Sequence, residues 1–421
     1  MQLIENLIVK EKIYVEKMKN GLTVMIIPRE NTNKKYAIIG THFGSVDNEF
    51  VVPGEEKSSK IPDGVAHFLE HKMFEQENGT NSLDVLSNIG VDANAYTTND
   101  YTAYLIDATN NFDEAFKELM NYVQHPYFTD ENVKKEQGII EQEINMYEDD
   151  PGTRVYMEAL KCMYSESPVR IDIAGSVQSI NEINKEILYN CYNTFYNPSN
   201  MCLVICGDFK PEEIIKKVEE NLVEKELQGD IQRIYPKEPK EVKNKESEKV
   251  MNVSQPIFVI GIKENSEEQV NAKKVLTVEI ILEILLGKSS ELYKKMYENK
   301  DLIVPLDYDY EFSQSYSHII ISSQAKNPKK IFEEIKKQVK KYIESGIHEE
   351  EFERIKKKIY GEYVMQYNDI DVISRNLLAD HFKGIKPFEF IEEFKSLNIN
   401  YANEILRKMF KEENMVISIV K

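Results

Sequence analysis

The second half of this chain repeats the order of the first, and that repeat limits the fold more than any other feature. Ser179-Ile180 leads to Glu186-Ile187-Leu188, a helical stretch, Asn200-Met201 and an apolar run. Near the C-terminus Ser396-Leu397 leads in the same way to Glu404-Ile405-Leu406, a helical stretch, Asn414-Met415 and an apolar run. Between the halves, residues 223–250 are rich in Lys and Glu, contain Pro236 and Pro239, and offer little that could enter a core. Such a segment reads as an interdomain linker. The expected division is therefore 1–222, a linker over 223–250, and 251–421. Each half mixes strand and helix patterns, which places the chain in the α+β class with two domains of like architecture.

Length and composition agree with two cores: the chain has 421 residues, 41% of them apolar. A formal net charge of −19 argues against nucleic acid, whose phosphates it would repel. The four cysteines, Cys162, Cys191, Cys202 and Cys206, form no C-x-x-C pair and read as buried free thiols in a reducing compartment. Charges interrupt Met1 to Asn20, so no signal-peptide core is expected there, and no apolar run reaches the length of a membrane span. These features together predict a cytoplasmic protein.

Taken in order, Leu22 to Pro28 and Tyr36 to Phe43 read as strands, and the polar stretch from Gly44 to Lys60 as loop. Asp63 is the predicted N-cap of a helix in which Val65, Phe68, Leu69 and Met73 share one face. His67, Glu70, His71 and Phe74 share the other. Two short strands are expected within 92–107, helices over 112–123, 130–147, 153–164 and 179–195, and a buried strand from Met201 to Gly207. The second half is expected to run through strands 257–262, 305–312, 317–324 and 415–420, with helices between them.

Chemistry concentrates at His67-Phe68-Leu69-Glu70-His71. On a helix, residues four apart lie one turn apart, so both imidazoles can reach one metal ion with a carboxylate beside them. The order H-x-x-E-H is that of the inverted zinc-protease helix. With seven histidines in 421 residues, chance would produce it in on the order of one chain in a hundred. A catalytic zinc needs a third protein ligand and an open position for water. With no histidine nearby, a carboxylate from the 130–147 helix is expected. Glu136 and Glu143 are seven apart and nearly share a face, while Glu141 and Glu148 point elsewhere. Periodicity alone leaves the choice among them open. A closed structural zinc site would ordinarily need four protein ligands, often cysteines, and none lies near His67 in sequence.

The His67–His71 helix, followed by Lys135-Glu136-Gln137-Gly138-Ile139-Ile140-Glu141-Gln142-Glu143-Ile144, resembles the insulinase/pitrilysin family of zinc metallopeptidases. Asn94-Ala95 with Thr97, and Glu148-Asp149-Asp150-Pro151, also fit that family, and the short bacterial type related to mitochondrial processing peptidase is the nearest in form. The resemblance implies two homologous α/β-sandwich domains, each a mixed, mostly antiparallel sheet with helices packed on it, facing each other like a clamshell. It implies one zinc per chain, held by His67, His71 and Glu143, with Glu70 as general base and Glu136 supporting a ligand. By residue count alone Glu148 matches the family's longer gap, but the pattern around Glu143 matches better. Asn94, Ala95 and Tyr96 are implied to receive an extended peptide substrate along a strand edge.

One departure bears on partners. Active relatives carry an Arg and a Tyr seven apart in the C-terminal half, gripping substrate, and here Tyr297 and Val304 stand at those positions. The expectation is a zinc endopeptidase that forms the catalytic subunit of a heterodimer, with a related chain supplying the Arg–Tyr pair; a homodimer is the other arrangement. The alternative is a non-catalytic scaffolding relative, which would be expected to lack the zinc-binding residues.

Overall fold

The most apolar runs of each half become inner strands of two sheets. The computed structural model describes residues 1–264 and 270–421. In chain order the first half forms β1 (Gln2–Asn6), β2 (Glu11–Lys17), β3 (Thr23–Pro28), β4 (Lys35–Thr41), β5 (Glu49–Val51), β6 (Ser58–Lys60), α1 (Val65–Lys72), α2 (Ser82–Asn88), β7 (Asp92–Thr97), β8 (Thr102–Ala108), α3 (Phe112–Gln124), α4 (Asp130–Glu148), α5 (Pro151–Met163), α6 (Val177–Asn181), α7 (Lys185–Phe195), β9 (Met201–Gly207) and α8 (Pro211–Asn221). There follow β10 (Gln232–Arg233), β11 (Glu246–Lys249), β12 (Ile257–Lys263), α9 (Ala272–Leu286), α10 (Glu291–Glu298), β13 (Asp307–Phe312), β14 (Ser317–Gln324), α11 (Pro328–Ser345), α12 (Glu349–Gln366), α13 (Ile370–Phe382), α14 (Glu389–Glu393), α15 (Ile399–Met409) and β15 (Met415–Val420).

The largest sheet has the order β1-β2-β3-β9-β4-β8-β7, the second β11-β15-β12-β14-β13, and a small third sheet β10-β5-β6. The last five strands of the first match the second one for one. In each, the first two run parallel, β3 with β9 and β11 with β15, and all later neighbours run antiparallel. The helices keep the same places in chain order, so the repeat seen in sequence is a repeat of architecture. β9 and β15 are buried along their whole lengths, because apolar side chains cover both faces.

Two compact units result: Met1–Ile144 with Asp172–Tyr235 and Met365–Pro387, and Asn145–Ile171 with Pro236–Val364 and Phe388–Lys421. Each half therefore lends one helix to the other half's unit. α13 packs on β4 and β9, and α5 on the matching strands β12 and β15. A glycine admits each helix. A Cβ on Gly40 would lie 3.0 Å from Leu378 and Phe382, and one on Gly261 would lie 2.6 Å from the Met163 sulfur. These glycines occupy the same register position, Gly40 opposite Cys202 and Gly261 opposite Val416, each one residue past the start of its partner strand.

The stretch 223–250 contains one of the crossings between units, at Tyr235/Pro236, and is held by pairing and ion contacts. β10 pairs with β5, and β11 with β15. Arg233 bridges the buried Asp47 at 3.1 Å, and the Tyr235 hydroxyl donates to the same carboxylate at 3.0 Å. Other expectations differ in detail. The N-terminal segment forms β1 and β2, whose half-exposed residues leave only a weak apolar alternation. The polar stretch after Gly44 contains β5 and β6. Asn184 caps α7 and splits the single helix expected over 179–195. All four cysteines are free and buried, and among the described residues no helix is long and apolar enough to cross a membrane.

Candidate metal centre

α1 begins without its expected cap. Gly64, at φ 93°, takes the position before the helix, where a Cβ would lie 2.5 Å from the Ala174 carbonyl oxygen. A side chain is excluded there by both conformation and space. The Asp63 carboxylate instead accepts a hydrogen bond from the Asn48 amide at 2.5 Å. Val65, Phe68, Leu69 and Met73 enter the core of the first unit, as their periodicity predicts. Phe74 departs from the polar face and packs against Tyr104 and Tyr122.

The remaining face carries His67, Glu70 and His71, with imidazole centroids 4.5 Å apart. α4 brings Glu143 to them: His67 Nε2 lies 3.7 Å from Oε1 and His71 Nε2 3.6 Å from Oε2. One ligand atom from each of His67, His71 and Glu143 falls within 4.8 Å of the others, and among the described residues this is the group with metal-ligand geometry. The separations are too long for good hydrogen bonds. They are close to the roughly 3.3–3.6 Å that separates two ligands of one tetrahedral zinc with bonds of about 2.0–2.2 Å. Two imidazole nitrogens and one carboxylate oxygen are also a donor set zinc accepts, so the residues present fit that ion.

The surroundings prepare the donors. Burial, with the charge of His71, lowers the His67 pKa to about 3, which keeps its nitrogen lone pair available. Burial also acts against protonation of His71, but the Glu136 hydrogen bond and the charges of Glu70, Glu136 and Glu143 outweigh it and raise that pKa. His71 Nδ1 lies 3.1 Å from Glu136 Oε1, a contact that directs Nε2 toward Glu143. The buried Lys72 ammonium stands 3.7 Å from the other oxygen of Glu136. Burial pushes the Glu70 carboxyl above its ordinary range, partly offset by Thr97, whose hydroxyl donates to Glu70 Oε2 at 2.6 Å. Glu148 lies exposed at the end of α4, outside the cluster.

Asn94, Ala95 and Tyr96 lie on β7, the end strand of its sheet. Asn94 Oδ1 accepts from the Ala95 N–H at 2.9 Å. Tyr297 and Val304, in the second unit, are 71% and 39% exposed. Lys72, beside Glu136, and Arg375, beside Tyr96, are polar groups that no sequence pattern singled out.

Residues 54–176 match the profile of Insulinase (Peptidase family M16), and 182–359 that of the Peptidase M16 inactive domain. An uncharacterized zinc protease of Bacillus subtilis (strain 168), YmfH, is 37% identical over 413 residues, covering 97% of this chain and 96% of its own length. The chain belongs to the insulinase family. Among solved structures of this family, the crystal structure of an M16-like protein from Alicyclobacillus acidocaldarius superposes with a TM-score of 0.93 at 35% identity, covering 97% of this chain and 98% of that one. The probable mitochondrial-processing peptidase subunit beta of Arabidopsis thaliana is 27% identical over 211 residues, 48% of this chain and 37% of its own.

Within this family fold, α9 holds the place in the second unit that α1 holds in the first. It too carries polar residues four apart, Glu279 and Glu283, but their partners are side chains. Tyr363 donates to Glu279 at 2.8 Å, Lys358 bridges Glu283 at 2.7 Å, and Tyr308 also donates to Glu283. A lysine ammonium thus supplies the cation there. Burial, opposed by the Tyr363 bond and aided by the charges of Asp309 and Glu362, raises the Glu279 pKa to about 7. A carboxyl that ionises near 4.3 when unfolded and higher when folded contributes stability below the unfolded value. That contribution is lost as pH rises toward 7. Glu279→Gln is expected to be more stable to denaturant than wild type at pH 8, by about 3 kcal/mol, with the gap closing below about pH 4. Equal effects at both pH values would show that the charge is not responsible.

Proposed function

We propose that this chain is a zinc endopeptidase that cleaves peptides or unfolded segments and serves as the catalytic subunit of a two-subunit peptidase. The observation that carries the reading is the convergence of His67, His71 and Glu143 beside the Glu70 carboxylate. His67, His71 and Glu143 would hold one zinc ion per chain, which would supply Lewis-acid polarisation of a peptide carbonyl and a water of pKa about 7. His67 and His71 present their Nε2 atoms, and Glu136 holds the His71 ring through Nδ1. Thr97 occupies Oε2 of Glu70, which leaves Oε1 to accept a proton from the attacking water and return it to the leaving amine. The open edge of β7 takes the substrate backbone as an added strand.

Two observations support a second subunit. Tyr297 and Val304 stand where the family resemblance puts a substrate-gripping Arg and Tyr, and a relative is named as the beta subunit of a processing peptidase. A scaffolding role would give the chain no use for three converging donors and a poised carboxylate.

The test compares wild type and Glu70→Gln for zinc content and for cleavage of a peptide library, alone and with a related chain from the same source. Retained zinc with cleavage reduced roughly 10²- to 10⁴-fold is expected. Cleavage at the wild-type rate in Glu70→Gln would overturn the proposal.

A further inference from the structure

Strand register divides the side chains around β7 into two rows. Thr41, Thr102 and Thr97 lie opposite one another across β4, β8 and β7, and so do Gly40, Ala103 and Tyr96. Residues paired across a sheet share a face, and neighbours along a strand take opposite faces. Thr97 reaches Glu70, so the threonine row faces the metal centre. The Gly40 row faces α13, whose Leu378 and Phe382 press on that glycine. Tyr96 therefore points away from the metal, and Asn94 with it.

On that second face α13 presents Arg375. Its guanidinium carbon lies 5.4 Å from the centre of the Tyr96 ring, and its Nε donates to the Tyr36 hydroxyl at 3.0 Å. The residue is exposed, and among the described residues Nη1 and Nη2 have no hydrogen-bond or ion-pair partner. Asp371, one turn earlier, is held by Lys34 at 2.7 and 2.8 Å. In a chain of net charge −19, this leaves an oriented guanidinium over an aromatic ring on the end strand of its sheet. Such a fork suits a carboxylate, which it can bind through two parallel N–H donors.

An added strand alternates its side chains between the same two faces. We propose that Arg375 and Tyr96 form a specificity subsite that selects an acidic side chain at a substrate residue pointing away from the metal centre. The inference rests on the proposed docking of peptide along β7, while its test reads binding and does not depend on cleavage. The zinc-loaded Glu70→Gln protein would be titrated with fluorescent peptides carrying Glu, Gln or Lys at successive positions, followed by anisotropy.

At positions of one parity, Glu is expected to bind on the order of tenfold more tightly than Lys, with Gln between. Arg375→Lys should weaken this preference and keep its sign, and Arg375→Glu should reverse it. A variant that merely unsettled α13 would weaken all peptides alike. Peptides that bind without preference, bind with the same preference to Arg375→Glu, or fail to bind would overturn the subsite. Wild-type cleavage of the same peptides separates the two readings: binding with the expected preference but no cleavage would count against the peptidase and leave the subsite standing.

Discussion

On the proposed zinc assignment, replacing Glu143 by alanine is expected to abolish zinc binding, and replacing Glu148 to leave it intact. The two carboxylates sit five residues apart on α4, so they point in directions well over a right angle apart. Glu143 directs one oxygen toward each histidine, at 3.7 and 3.6 Å. Glu148 ends the helix in solvent. Without Glu143 the site has two imidazoles, too few to hold a catalytic zinc against a chelator. Glu136→Gln should have a smaller effect, roughly 10- to 100-fold in zinc affinity, because it disturbs the orientation of His71 while leaving every donor present. Zinc per chain after purification, and competition with a chromogenic chelator, measure all three variants. Full zinc occupancy in Glu143→Ala, or its loss in Glu148→Ala, would reject this assignment.

Glu238→Ala is expected to destabilise the second unit by about 3–5 kcal/mol, a large effect for a residue in a stretch that reads as linker. Lys263 is buried, and its ammonium donates to Glu238 Oε1 at 2.7 Å, to the Pro239 carbonyl at 2.7 Å and to the Glu241 carbonyl at 3.0 Å. The same ammonium lies 5.1 Å from the centre of the Tyr164 ring. Glu238 also accepts the backbone N–H groups of Ser165, Glu166 and Ser167 at 2.9, 2.8 and 2.7 Å. Removing the carboxylate leaves a buried cation and three backbone donors without it. The cost is mainly that of uncompensated burial. Lys263→Met should destabilise too, and the double variant by less than the sum of the two, because each removes the partner of the other.

Burial alone would raise the Glu238 pKa, but Lys263 and the three N–H donors lower it. A depressed carboxylate contributes stability above its unfolded pKa and loses it as pH falls through the folded one. The difference between wild type and Glu238→Ala should therefore shrink in acid. Urea unfolding at pH 7 and at pH 3 measures both effects. A change below about 1 kcal/mol at pH 7 would mean that the segment is not held this way.

Local pattern carried much of the fold and part of the candidate site. The helix bearing His67, Glu70 and His71, its apolar face, and the buried strands β9 and β15 follow from periodicity, because short-range geometry sets which side chains share a face. β1, β2, β5 and β6 were not legible, since half-exposed or very short strands leave little alternation. The helix boundary at Gly64 escaped as well, because the need for a left-handed residue arises from the Ala174 carbonyl, which is far away in sequence.

The sequence by itself determined that two imidazoles and a carboxylate share one helix face, and that the two halves repeat an architecture. Spacing left open which glutamate of α4 meets those imidazoles and the family resemblance pointed to Glu143; the tertiary structure brings Glu143 to them, because helical periodicity leaves the rotation of α4 about its axis free until packing sets it. Tertiary structure likewise decided that α5 and α13 are exchanged between the two units, and that Arg375 lies over Tyr96. Contacts between residues hundreds of positions apart depend on sheet register and helix docking, and no local spacing records them.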